Sequence, residues 1–315
     1  MTPNEHLRAL TKAIDGAIDA FIEATPEIEH SVMLGIERLL REIQLTNDSV
    51  KVTVENLRLV AKMRSQLELA ILENPKYQAA LGNYMDAFKD VTVLHTRYFD
   101  GLFADYKAAP LLAELEKQTA IATVHMLTRG GMSSNVIDPI QDILRKNITT
   151  GTKYTDLVKS IREFVDGRPD ELGHIHRYVK QVATDALRQF SSQYMDIASQ
   201  DLGLDWFQYD GDVIQHTRPF CEAMVAKRWY HRLEIPTLLT GKVGEKQVGI
   251  NADTNRPYGM YPITNKDNFH IYRGGYNCRH TPIPVPEDYV PQEIRIKIYT
   301  TFNVPFDNEG FKMVA

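Results

Sequence analysis

The sequence predicts an α+β protein: a long helical N-terminal region, then a small α+β domain, then an extended C-terminal strand or arm. Three observations carry that reading. Apolar residues recur at three- and four-residue spacing from Leu7 to Ile197, which puts them on one face of successive helices. Aromatic runs, Gly turns and prolines dominate from Trp206 to Pro286. Near the C-terminus Ile294, Ile296 and Ile298 alternate with Arg295 and Lys297, the two-residue period of a strand. The expected divisions are residues 1–169, 170–286 and 287–315.

Taken in order, Thr2-Pro3 starts a helix that uses Leu7, Leu10, Ile14, Ile18 and Phe21, and Pro26 breaks it. A second stripe runs from Ile28 to Leu45. Asn47-Asp48-Ser49 offers caps for a third helix, Val50 to Glu73, whose apolar seam suits long antiparallel packing. Asn74-Pro75 punctuates before an aromatic-rich helix from Tyr77 to Tyr106, and Pro110 restarts the chain for Leu111 to Leu127, ended by Gly130-Gly131. Two shorter helices fill Ser133 to Val165, joined near Thr149-Thr150-Gly151, and Asp166-Gly167-Arg168-Pro169 reads as a linker. From Glu171 to Leu202 one further helix carries Ile175, Val179, Phe190 and Tyr194 inward, with Lys180, Asp185, Arg188 and Gln189 on a solvated face.

Composition bounds the function. The chain has 315 residues, 43% hydrophobic and 24% charged, with a formal charge of -5. That balance suits a globular fold and leaves nucleic-acid contact to a local patch. Met1-Thr2-Pro3-Asn4-Glu5 lacks the blocks of a signal peptide, and no apolar run approaches the ~20 residues of a membrane span. No membrane partner is expected. Nor is there a His-Glu-x-x-His helix, a Walker loop, a Gly-x-Ser-x-Gly elbow or a dinucleotide fingerprint, so no enzyme activity is expected. His174 and His176 lie two residues apart on a helix, on different faces.

The two cysteines sit in the two densest clusters. The first holds a strand at Trp206-Phe207-Gln208-Tyr209, an Asp210-Gly211-Asp212 turn, then His216, Thr217, Arg218, Pro219, Phe220 and Cys221. There Thr217 can cap a short helix through Val225. The second reads Arg273-Gly274-Gly275-Tyr276-Asn277-Cys278-Arg279-His280 and continues through Pro282, Pro284 and Pro286, which excludes a central strand. The simplest physical reading is that the clusters meet. His216, Cys221, Cys278 and His280 would then form a candidate zinc set; a Cys221 to Cys278 disulfide and two buried thiols are the alternatives. Arg218, Arg273 and Arg279 would pair with Asp210, Asp212 or Glu222. Alternatively Lys227, Arg228, Arg232, Arg273 and Arg279, interleaved with Trp229 and Tyr230, would track a DNA backbone.

The Thr217-Arg218-Pro219-Phe220-Cys221 block and Gly274-Gly275-Tyr276-Asn277-Cys278-Arg279-His280, in that order, resemble the phage Mu F-like head morphogenesis, or phage minor head, proteins. The resemblance covers the last third to half of the chain and marks Thr217, Arg218, Pro219, Cys221, Gly274, Gly275, Asn277, Cys278, Arg279 and His280 as a structural cluster. Many members carry Cys-Arg-Cys where this chain has Cys278-Arg279-His280, so no metal or disulfide role carries over. What the resemblance implies is a virion protein made in a host cytoplasm, in several copies per particle. It would lie in the head interior or at the portal vertex, with the portal protein, other head proteins and packaged double-stranded DNA as partners. Head assembly, genome packaging or DNA ejection would be its work. A nuclease or nucleotidyl-modifying domain and a zinc-stabilised DNA-binding module are the alternative readings. The C-terminal strand, without a hairpin partner, would need another sheet edge, its own or a partner's.

Overall fold

A computed structural model describes residues 2–313 and bears out the α+β class. The first half holds α1 (Pro3–Ile22), α2 (Thr25–Leu40), the hairpin β1 (Leu45–Thr46) and β2 (Ser49–Val50), α3 (Val54–Leu72), α4 (Pro75–Leu102) and α5 (Pro110–Leu127). Next come α6 (Arg129–Met132), a π turn at Ser133–Ile137, α7 (Asp138–Thr150), α8 (Tyr154–Val165), the hairpin β3 (Gly167–Arg168) and β4 (Glu171–Leu172), and α9 (His174–Asp201). The remainder is β5 (Trp206–Asp210), α10 (Pro219–Lys227), β6 (Trp229–His231), α11 (Ile235–Leu238), β7 (Lys242–Val243), β8 (Lys246–Gln247), β9 (Ile250–Asn251), β10 (Arg256–Pro257), α12 (Phe269–Tyr272), β11 (Thr281–Val285) and α13 (Gln292–Thr301).

Residues group into two compact units that are discontinuous in sequence. One takes residues 15–88 and 118–184, the other 1–14, 89–117 and 185–315, so α1, α4, α5 and α9 each contribute to both. The boundaries expected near 169 and 286 fall at the β3–β4 hairpin and just past β11.

The first unit is helical. Phe21, Tyr77, Tyr84, Leu67, Ile140 and Ile161 are buried in it, and its aromatics stack, Phe21 on Tyr84 at 5.0 Å between centroids. Their polar ends are satisfied: Tyr77 donates to the Leu127 carbonyl at 2.7 Å and Tyr84 to that of Ala183 at 2.6 Å. The aromatic stripe read from the sequence therefore serves the core here, as large rings with a hydrogen-bonding tip commonly do. One expectation fails at the start of α3. Asn47 and Asp48 do not cap a helix; at φ of 47° and 61° they turn the β1–β2 hairpin, and Thr53 caps α3 by accepting from the Asn56 amide. Asn and Asp suit both roles, because their short polar side chains tolerate a left-handed backbone as well as capping amides.

The second unit holds an antiparallel sheet in the order β11-β5-β6. Trp206, Phe207, Gln208 and Tyr209 are all buried, which makes β5 the central strand covered on both faces. β11 lies at the edge, as Pro282 and Pro284 require, paired opposite Tyr209 and Phe207. Tyr98 closes that edge by donating to the Pro284 carbonyl at 2.6 Å.

A second expectation fails at the C-terminus, where residues 292–301 form the helix α13 rather than a strand. Arg295, Ile298 and Tyr299 are its buried positions, spaced three and four apart, and Pro291 sits at its N-cap. Tyr299 accepts from the Trp206 indole at 2.9 Å. Arg295 donates to the carbonyls of Glu287 and Glu309 and stands 3.9 Å from the Phe311 ring centroid. These tertiary partners override the alternation of isoleucines, and residues 292–301 offer no strand to add to a partner's sheet.

Candidate functional site

The two cysteine clusters fold against each other. β5 feeds a turn in which Thr217 accepts from the Ile214 amide at 2.8 Å. Thr217 thus shapes the approach to α10 and does not cap it; Arg218 holds the N-cap position, and Pro219 opens the helix. α10 drives Phe220, Cys221 and Met224 into a core shared with Phe207, Tyr209, Tyr230 and Phe269. Complete burial of a ring such as Phe269 stabilises by about 2–3 kcal/mol.

Arg218 does not seek a carboxylate. Its guanidinium donates to the carbonyls of Gly274 and Tyr276, both at 2.6 Å, and so clasps the second cluster. Glycines make the fit: a Cβ at Gly259 would lie 2.0 Å from Arg218 Cδ, and one at Gly275, where φ is +64°, would lie 1.7 Å from the Gly259 carbonyl oxygen. Arg273 behaves the same way. It is buried and donates to the carbonyls of His270 and His280 while its guanidinium stands 5.5 Å from the Tyr209 ring centroid. The expected pairing of Arg218 and Arg273 with Asp210, Asp212 or Glu222 is therefore corrected. Backbone carbonyls of a tight Gly-rich loop are unpaired acceptors that a planar, multi-donor guanidinium satisfies well.

At the centre, Cys221 Sγ and Cys278 Sγ are 4.0 Å apart, and Cys278 Sγ is 3.8 Å from His280 Nδ1. Both cysteines are free, Cys221 buried and Cys278 partly so. The Tyr209 hydroxyl donates to Cys221 Sγ at 3.5 Å. The pair is electrostatically unequal. The Cys278 thiol is held below its ordinary value first by a hydrogen bond from Cys221, with His280 and the charge of Arg273 in support and burial opposed. Cys221 is pushed up by that same bond and by burial.

Of the four residues read as a zinc set, three converge: donor atoms of Cys221, Cys278 and His280 all lie within 4.8 Å of one another. His216 does not join them and is exposed on the β5–α10 loop. Asp185, expected on a solvated face of α9, lies against the second cluster instead. It accepts from the Asn277 amide at 2.8 Å and from the Tyr261 hydroxyl at 3.0 Å, and burial raises its pKa. Arg188, also expected outside, is buried and donates to the Arg279 carbonyl at 3.3 Å. A contact between Asp185 and the Asn277 amide, 92 residues apart, has no local sequence signal, since it depends on which side of α9 the loop closes over.

The basic strip is divided by the fold. Lys227 pairs with Glu234 at 3.0 Å, and Arg232 with Asp196 at 3.0 Å. Asp196 also meets His270 Nδ1 at 2.7 Å, and despite the opposing cost of burial these partners hold its carboxyl below the usual range. Arg273 is committed to carbonyls as above. Arg228 and Arg279 are exposed, Arg228 with its guanidinium 5.2 Å from the Trp229 ring centroid.

The site defines a class by its geometry: an α+β unit in which an arginine-clasped Gly loop brings two thiols and an imidazole together on the edge of a three-stranded sheet. No family model, no curated protein and no solved structure matches the chain. No helix of the described residues is long and apolar enough to cross a membrane.

Proposed function

We propose that the chain is a phage minor head protein of the Mu F-like kind, a structural component of the virion that works beside the portal in head assembly, genome packaging or DNA ejection. One observation carries the reading. The two sequence blocks that resemble that family, with their cysteines 57 residues apart, form a single clasped cluster held by Arg218 and packed on one core. Had the blocks belonged to separate modules, the resemblance would rest on two unrelated short strings. Within this reading the head interior or portal vertex is the location, portal and capsid proteins are the partners, and the chain acts in several copies without catalysis. Exposed Arg228 and Arg279 are the residues available for contact with packaged DNA.

The test is a map of neighbours in assembled particles by cross-linking and mass spectrometry. Cross-links from this chain to portal and capsid proteins are the expected result. Absence from purified particles, with cross-links confined to a cellular enzyme complex, would overturn the assignment.

A further inference from the structure

The separations among Cys221, Cys278 and His280 match a metal centre better than a disulfide. Zinc binds thiolate at about 2.3 Å and imidazole at about 2.0 Å, and tetrahedral angles then place two sulfurs about 3.8 Å apart and a sulfur and nitrogen about 3.5 Å apart. The observed separations are 4.0 Å between the sulfurs and 3.8 Å from Cys278 Sγ to His280 Nδ1. A disulfide needs about 2.05 Å, so the sulfurs would have to close by roughly half their distance. The sulfur pair and the Cys278–His280 pair need only a few tenths of an ångström, and Cys221 and His280 already lie within 4.8 Å of each other.

The surroundings are built to keep that arrangement. A Cβ at Gly274 would lie 2.0 Å from Cys278 Sγ, and one at Gly211 would lie 2.6 Å from the His280 ring. Both glycines therefore make room for ligand side chains. Arg273 anchors the His280 carbonyl, which fixes the backbone from which the imidazole projects. Tyr209 lies nearly parallel to that imidazole, 13° between ring planes, and donates its hydroxyl to Cys221. Partners of this kind orient ligands and support a thiolate. Cys278 and His280 also line a small cleft with Asp185, Gln189 and Ser192, which leaves one side of the cluster open to a further ligand.

We propose that Cys221, Cys278 and His280 form a Cys2His site for a thiophilic divalent cation, zinc foremost, with the fourth position facing that cleft. Both thiols give up their protons on binding, so two thiolates balance the cation's charge and Arg273 faces a centre without net charge. His216 takes no part. The site is independent of the virion reading, because metal can be present or absent whatever the chain assembles with.

The test uses the full-length chain, purified under reducing conditions, analysed for zinc and then titrated with cobalt(II). One equivalent of zinc is expected, and cobalt should give the sulfur-to-metal charge-transfer absorption and the intense visible bands of a tetrahedral thiolate site. Cys278→Ser should weaken cobalt binding about tenfold or more, and His216→Ala should leave it unchanged. Because Cys221 is buried and its substitution changes stability as well as ligation, the wild-type titration decides. Substoichiometric zinc together with no charge-transfer band on cobalt addition would overturn the proposal. So would cobalt binding that Cys278→Ser leaves intact.

Discussion

Arg218 shows how a single side chain converts two distant sequence blocks into one object. Its two 2.6 Å bonds run to carbonyls of the Gly-rich loop, and hydrogen bonds from a charged donor contribute about 1.5–3 kcal/mol each before shared effects are discounted. Arg218→Ala is expected to lower unfolding stability by about 3 kcal/mol, read as a fall in the urea midpoint at unchanged slope. A second residue-scale prediction concerns pH. His6 and His95 are buried and adjacent, with 3.2 Å between His6 Nε2 and His95 Nδ1. Burial lowers His6 from 6.5 to about 4, and pushes His95 well down too. The folded state thus binds fewer protons than the unfolded one between those values. Stability from His6 is full above about pH 6.5 and drains as pH falls towards about 4. Glu29, raised to about 7 mainly by burial, works in the opposite sense. The difference between wild type and His6→Gln isolates the histidine: the variant's urea midpoint should fall less steeply from pH 7 to pH 5.

At the scale of elements, periodicity was enough wherever packing followed it. Leu10, Ile14, Ile18 and Phe21 are all buried along α1, and Val60, Leu67 and Ile71 along α3. It was not enough where one motif supports two structures. Asn47-Asp48 reads equally as caps or as a hairpin turn. The isoleucines of α13 alternate like a strand, yet only Ile298 of the three is buried, because Arg295 and Tyr299 carry the contacts that fix the element. That choice is testable. Tyr299 is the partner of the buried Trp206 indole and itself donates to Glu287 Oε1 at 2.6 Å. Tyr299→Phe should cost about 1–3 kcal/mol by leaving a buried donor unpaired, measured by thermal or urea unfolding. If α13 did not pack on this sheet, the substitution would be neutral.

Over the whole molecule, what sequence reasoning could see of the candidate site was its chemistry, and what it could not see was its support. Cys221, Cys278 and His280 were visible as unusual residues in matched surroundings. Asp185 and Gly259 were not, because a helix face and a loop become neighbours of the cluster only through the long-range fold. Polar residues on α9 look solvated until the Asn277 amide closes on Asp185. The same logic explains Lys227, Arg232 and Arg273, which looked like a basic strip in sequence but are committed to Glu234, Asp196 and backbone carbonyls.

The surroundings of Cys221 and Cys278 are expected to behave as one cooperative cluster. A double-mutant cycle on stability, with Cys221→Ala, Cys278→Ala and the pair, measures it without need of reagent access to a buried sulfur. Contact between the two side chains predicts a coupling of about 0.5–3 kcal/mol, and additivity within about 0.3 kcal/mol would contradict it.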